Sequence, residues 1–318
     1  MKIAIWGLGN HAVNNIAPAL KKTPNLDLAG IFTRNKSIRN KCSKDFDCKT
    51  WNDHNEMLQD DDIDIIYCST PPALHHEMGL KVISSGKHFW CEKPMTMSLE
   101  DSTNLVELSN KSGLTIAEGF MYLYHPQLIT LKKELKKYAS EDIKYINILF
   151  TLPHSNNLGF RDNSDLGGST LLDIGTYNIS LALEIFNQKT PEIVYKQIKI
   201  DESSKVDMSG FATLDFNGGS ICNLFWGMGF GYRNEVNILT TKSSLYANKI
   251  FSKKEDYQAS ILLKNEYGES SYIDCRKANH FVNMFTHFRS LIDNKKAAAY
   301  EKQRIIQLAE VTQRIKTD

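Results

Sequence analysis

The chain opens on a short apolar run, Lys2-Ile3-Ala4-Ile5-Trp6, broken by Gly7-Leu8-Gly9 and followed by helically spaced apolar positions from Asn10 to Lys22, ending at Pro24. Strand and helix patterns then take turns. A strand is predicted over 26–33, helices over 36–46 and 52–58, and an apolar strand over 63–69, closed by Thr70-Pro71-Pro72. A helix over 74–84 stops at Gly86, and a strand over 88–91 runs into Glu92-Lys93-Pro94. Ser98, with Asp101 three residues on, opens a helix that reaches Ser112-Gly113, and a strand over 115–118 follows. Strict alternation through residue 119 predicts a parallel sheet covered by helices on both faces.

The pattern changes after residue 120. A helix is expected over 127–138 and another over 176–186, but strands dominate: 145–152, 193–200, 210–216, 220–226, 235–240, 244–247, 260–263 and 271–274. Asn217-Gly218-Gly219 between two of them is a hairpin signal. Successive strands joined by short turns predict a mostly antiparallel sheet, followed by helices over 282–294 and 302–316. No internal repeat interrupts this order.

With 318 residues the chain is long enough for two domains rather than one. Its 38 basic and 37 acidic residues leave a formal charge of +1, which gives no reason to expect nucleic acid or an anionic membrane as partner. No run approaches the ~18 apolar residues that span a bilayer, and the glycine-broken start does not read as a signal peptide; the expected location is the cytoplasm. The six cysteines form no CxxC pair, so reduced buried thiols are expected rather than a disulfide framework or a metal site. Cys42 and Cys48 are the pair able to cross-link on oxidation.

Gly7-x-Gly9-x-x-Ala12 lies between a strand and a helix. The first glycine permits the tight turn, the second lets backbone approach a pyrophosphate, and Ala12 lets the helix pack closely. Leu8, Asn10 and His11 complete the loop. The second strand ends in Thr33-Arg34-Asn35-Lys36 with no carboxylate to take a ribose 2′-hydroxyl; Asp27 lies at the wrong end. Arg34 with Thr33 suits a 2′-phosphate, which favours NADP over NAD as the cofactor. Lys93 follows a strand of the parallel sheet, at the end where such sheets bind ligands. Asp173 and Tyr177 are four apart and share a helix face; the apolar residues before Asp173 suggest a partly buried carboxylate in need of a partner such as a lysine.

Taken in order, these stretches resemble the Gfo/Idh/MocA oxidoreductase family: Gly7 to Ala12, Ser69-Thr70-Pro71-Pro72-Ala73-Leu74-His75, Gly86 to Pro94, Glu118 to Gln127, and Gly167 to Tyr177. They span the first 180 residues. The Phe120-Met121-Tyr122 stretch with His125-Pro126 is most similar to the dihydrodiol and D-xylose dehydrogenase branch; deoxysugar ketoreductases are also similar. The resemblance implies an α/β protein: a Rossmann domain over 1–120, then an α+β domain over 121–318 with a large, mostly antiparallel open sheet for substrate binding and dimerisation, its last helices available to pack back on the first domain.

It further implies an active site of Lys93, Asp173 and Tyr177, with Ser69, Thr70, Pro71, His75, Glu92 and Lys93 joining the glycine loop, Thr33 and Arg34 around the cofactor, and Tyr122, Arg161 and Tyr177 toward substrate. Many relatives have histidine where this chain has Tyr177. A lysine cation nearby should lower the tyrosine pKa and suit it to acid–base work, with Lys93 orienting the substrate oxygen and Asp173 holding both; the roles of Lys93 and Tyr177 are interchangeable at this stage. The chain departs from the family at Pro72, often asparagine, and Leu123, often arginine, which blurs the substrate contacts. Trp226 is either pocket lining or core. The expected function is hydride exchange with a hydroxyl or keto carbon of a sugar, sugar nucleotide or cyclic polyol, in a homodimer. The alternatives are a non-catalytic dinucleotide sensor and an NAD-dependent glycosidase; a methyltransferase gives Glu92-Lys93-Pro94 no role.

Overall fold

A strand apolar at every position must be covered on both faces. In the computed structural model β1 (Lys2–Trp6) is central to a six-stranded parallel sheet with β2 (Asp27–Phe32), β3 (Lys49–Thr50), β4 (Ile65–Cys68), β5 (His88–Cys91) and β6 (Ile116–Glu118), in the order β3-β2-β1-β4-β5-β6. The structure describes all residues except 139–141, 155–158, 217 and 318. Strand order reverses between β1 and β4, the switch point at which such sheets open a ligand crevice. The two-residue edge strand β3 was not foreseen, because a short polar segment carries no period-two signal.

The crossovers are helical. A wide π turn at Ala12–Ile16 leads into α1 (Ala17–Lys22); α2 (Lys36–Phe46), α3 (His54–Leu58), α4 (His75–Ser84) and α5 (Leu99–Ser112) follow. Ser98 caps α5 by accepting the Asp101 N–H at 3.1 Å, as its sequence signature predicts, and Gly113 ends the helix at φ +69°.

The second sheet has eight strands. After α6 (Pro126–Leu135) come β7 (Ile143–Leu152), α7 (Thr176–Ile185), β8 (Glu192–Ile200), β9 (Asp207–Phe216), β10 (Ser220–Met228), β11 (Arg233–Thr240), β12 (Ser243–Asn248), β13 (Ala259–Asn265) and β14 (Ser270–Cys275). The order is β14-β13-β12-β11-β7-β10-β9-β8, antiparallel throughout except for the parallel pair β7 and β10. The hairpin expected at 217–219 joins β9 to β10, where Phe216 pairs with Ser220; Asn217 itself lies outside the described residues. Alternating burial along β9 and β10 leaves one face covered. Trp226 is fully buried, and a Cβ on Gly210 or Gly175 would meet its ring at 2.1 or 3.0 Å, so it belongs to the core.

The last helices, α8 (His280–Asp293) and α9 (Lys295–Thr317), are shared between two units: Met1–Phe120 with Phe281–Ile306, and Met121–His280 with the chain from Gln307 on. In the first unit Phe285 packs edge-on to Tyr67 at 5.1 Å, and Phe288 to Trp90 at 5.5 Å. α9 also brings Glu301 and Arg304, paired at 2.7 Å, against the end of β6. There Glu301 accepts the Glu118 N–H at 3.1 Å, and the buried Glu118 carboxyl accepts the Met95 N–H at 2.6 Å.

Burial pushes the Glu118 carboxyl up to about 8, against the pull of the Met95 N–H and the Arg304 cation. The folded state therefore holds a proton that the unfolded chain has released, and this group's contribution to stability falls as pH rises from its ordinary value of 4.5 through about 8. Glutamine at this position keeps an acceptor for Met95 and has no proton to lose. Glu118→Gln is expected to lose less stability than the parent between about pH 5 and pH 8, by denaturant unfolding; parallel profiles would contradict this account of Glu118.

Candidate active site

The glycine loop is shaped by close approach. Gly7 sits at φ +105°, and a Cβ on it would lie 2.4 Å from the Ser69 carbonyl, so only glycine fits. A Cβ on Gly9 would meet nothing within 4 Å. That open side, above the N-terminal end of the Ala12–Ile16 turn, is where a pyrophosphate would lie against helix N–H groups. The loop is anchored from Gly7 N to Phe32 O at 2.8 Å and from Val13 N to Gly9 O at 3.1 Å. Leu8 is buried, and Asn10 and His11 are exposed.

At the end of β2 the Thr33 carbonyl receives a hydrogen bond from Arg39 at 3.2 Å; Arg39 is buried and also reaches the Asn52 carbonyl at 3.4 Å. Asn35 caps α2 by accepting the Ile38 N–H. Arg34 between them is exposed, so its guanidinium is available to an anion. His54 stacks on Trp6, with ring centroids 5.1 Å apart, beside the same loop. Neither Arg39 nor His54 carried a motif in the sequence; only the fold brings them to this loop.

The loops after β4 and β5 are tied together by His75, which is fully buried. Its Nδ1 lies 2.8 Å from the Pro94 carbonyl and its Nε2 2.9 Å from the Thr70 carbonyl. Ser69 N donates to Trp6 O at 2.8 Å, and the Thr70 hydroxyl turns inward to Cys68 and Met78, leaving Pro71 to lead into the turn before α4. The Lys93–Pro94 peptide is cis. Glu92 accepts the Tyr67 hydroxyl at 2.6 Å and His11 Nε2 at 3.1 Å. His11 Nδ1 faces the Asn15 amide at 3.2 Å, which assigns its proton to Nε2. Burial pushes the Glu92 carboxyl up, but His11, Tyr67 and Lys93 outweigh it and the net shift is down. The structure thus brings together His11, Tyr67, Thr70, His75, Glu92, Pro94 and Glu118 around the segment that carries Lys93. Tyr67 escaped the sequence reading because it looks like any strand apolar residue.

In the second unit Asp173 lies in a π turn, Leu171–Gly175, that opens into α7. The turn is held by Asp207, which accepts the Leu171 N–H at 2.6 Å, and by Ser169, whose hydroxyl accepts the Leu172 N–H at 3.1 Å. Such wide turns recur at functional sites. The sequence suggests a lysine partner for Asp173; within this unit Arg161 places its Nε 2.6 Å from Oδ2. Arg161 comes from the short turn Gly159–Asp162 and lies over the Phe160 ring. Tyr177 is 7% exposed, its hydroxyl 3.4 Å from the Met121 sulfur, its ring set among Phe150, Phe251 and Tyr122 at 5.4–5.7 Å. Tyr122, expected toward substrate, is fully buried and donates to the Ser180 hydroxyl at 2.9 Å.

Comparison with known proteins gives these arrangements a context. Residues 1–120 match the model of an oxidoreductase family with an NAD-binding Rossmann fold, and residues 129–246 match the Gfo/Idh/MocA C-terminal domain. Among curated relatives, a dTDP-3,4-didehydro-2,6-dideoxy-alpha-D-glucose 3-reductase of Saccharopolyspora spinosa is 24% identical over 266 residues, 84% of this chain and 80% of its own. An NADP(+)-dependent D-xylose 1-dehydrogenase of Haloferax volcanii is 24% identical over 258 residues, covering 79% and 77%. Among solved structures, a 3-ketoreductase from Actinomadura kijaniata, in complex with NADP and TDP-benzene, superposes with a TM-score of 0.94 at 23% identity, covering 100% of this chain and 97% of the other; that likeness shows the fold. With both domain models matched in order, the chain belongs to the Gfo/Idh/MocA oxidoreductase family.

Proposed function

We propose that this protein uses NADP to interconvert a hydroxyl and a keto carbon on a sugar, sugar nucleotide or cyclic polyol. The observation that carries this reading is the carboxyl edge of the parallel sheet. The glycine loop with its open side at Gly9 lies at the switch point, and Glu92, His75 and Glu118 hold the Lys93 segment on the neighbouring strands. The activities of the relatives, on deoxysugar nucleotides and on xylose, support the substrate class.

A nicotinamide held in this crevice would supply hydride exchange at its C4 carbon, which is the cofactor's own chemistry. The chain must bind that cofactor and manage a proton. Gly7, Leu8, Gly9, Asn10 and His11 cradle the pyrophosphate, Thr33 and the exposed Arg34 take the 2′-phosphate, and Ser69 to Pro71 border the same crevice. Lys93 orients the substrate oxygen through Nζ, and its cation stabilises the alkoxide that develops there. Tyr177 gives that oxygen its proton through Oη, or removes it in reverse. Asp173, held by Arg161, orients this machinery, and Arg161, whose side chain is 40% exposed, reaches for a polar or anionic part of the substrate.

Two further features complete the reading. No described helix is long and apolar enough to cross a membrane, and six unpaired cysteines suit a reducing compartment, for which we infer the cytoplasm. β8 exposes Val194, Tyr195 and Ile200, each more than half accessible, which fits burial of the open sheet face in a homodimer.

Three outcomes are expected. In nicotinamide absorbance assays with a panel of aldoses, inositols, dihydrodiols and keto-sugar nucleotides, Tyr177→Phe and Lys93→Met should each lower kcat by about 100-fold or more. Arg34→Ala should raise KM for NADPH at least about tenfold and leave NADH unchanged. Retained turnover in Tyr177→Phe alone would transfer the proton to Lys93, and retained turnover in both would remove the mechanism. Sedimentation velocity at micromolar concentration should show a dimer; a monomer throughout would exclude the sheet-face interface.

A further inference from the structure

Beneath the proposed cofactor loops the fold gathers four soft donors that the mechanism does not use. Cys68 and Cys91 are the last residues of β4 and β5 and pair directly across the parallel ladder. Both are fully buried, as is His75. A sulfur from each cysteine and a ring nitrogen of His75 all lie within 4.8 Å of one another. Met78, one turn along α4 from His75, puts its sulfur 3.6 Å from Cys68 Sγ. The residues are spread between positions 68 and 91 with no ligand spacing, so the sequence gives no sign of this cluster; only the adjacency of β4 and β5 makes it.

Its chemistry is specific. Metal–sulfur bonds of about 2.3 Å put tetrahedral donors about 3.7 Å apart, so the separations among Cys68, Cys91 and His75 need to contract by about 1 Å or less. Two thiols, an imidazole and a thioether form a soft set, and the thioether favours Cu(I) over zinc. His75 is suited to join. Its ring nitrogens lie 2.8 and 2.9 Å from the Pro94 and Thr70 carbonyls, and either of them, once deprotonated, is a metal donor. The two thiols stand side by side on paired strand ends, so one ion can meet both. The thiolate is the metal-binding form.

We propose that Cys68, Cys91 and His75, with Met78, form a buried binding site for a monovalent thiophilic cation of the Cu(I) type. Binding exchanges thiol protons for the ion and moves no electrons. It also draws His75 away from either the Thr70 or the Pro94 carbonyl, so the loaded protein binds NADPH more weakly. That second consequence rests on the cofactor reading above; uptake of the ion does not.

The test is anaerobic titration of the full chain, reduced and apo, with Cu(I) in competition with bicinchoninate, over hours to allow entry to a buried site. The result expected is one ion per chain, a thiolate-to-copper absorbance in the near ultraviolet, and a fall of tenfold or more in NADPH affinity on loading. Cys91→Ser should weaken uptake at least 100-fold, and Met78→Leu, which keeps both thiols and a comparable core volume, about tenfold. Cys42→Ser with Cys48→Ser, the other close thiol pair, should leave uptake unchanged. Failure to compete with the chelator would overturn the site, as would uptake that survives in Cys91→Ser and Met78→Leu or is lost with Cys42 and Cys48. Uptake with unaltered NADPH affinity would overturn the coupling alone.

Discussion

Everything proposed for this protein depends on how the carboxyl edge of its parallel sheet is satisfied. Strands that end inside a protein release backbone carbonyls and N–H groups that must find partners or cost free energy, about 1–3 kcal/mol for each left unmade. Here two buried titratable side chains meet that demand, and the partly buried Glu92 ties further side chains to the same edge. His75 spans the Thr70 and Pro94 carbonyls, Glu118 takes the Met95 N–H, and Glu92 collects Tyr67 and His11. Each bond also fixes the position of a loop that reaches into the crevice. The same interactions that stabilise the edge hold Lys93 and shape the glycine loop, so stability and function are not separable there.

The second unit solves a similar problem differently. Its wide turn at Leu171–Gly175 is fixed by Asp207 and Ser169, and packs onto Trp226 through Gly175. The turn presents Asp173 to Arg161, and an aromatic group around Tyr177 restricts the ring to a narrow range of positions. A tyrosine held this way has little side-chain freedom left to lose.

Much of the fold is legible in the chain because its local signals agree. The apolar runs of β1, β4 and β5, the glycines at Gly7 and Gly9, and the Ser98 cap each point to one structure. The residues proposed for the site stand out in the chain where chemistry is written as a local motif, as in Glu92-Lys93-Pro94 or Asp173 and Tyr177. They do not stand out where function depends on partners brought from afar. Arg161 meets Asp173 from a short turn outside its motif, Arg39 steadies Thr33 from inside α2, and Glu301 reaches β6 from a helix 183 residues later. Cys68 and Cys91 read as ordinary buried thiols, and only strand order makes them neighbours. Residues 281–306, expected as part of the second domain with its last helices available to pack back, group with the first unit through aromatic contacts that have no periodic signature.

The central claim is direct hydride exchange between the nicotinamide ring and a carbinol carbon. The measurement that tests it most directly is a single turnover of a keto-sugar nucleotide with NADPH deuterated at C4, followed by mass spectrometry and NMR of the product. The account predicts one deuterium on the carbon that was the ketone, from one face of the nicotinamide only. Product formed without label, or label appearing in solvent, would contradict it.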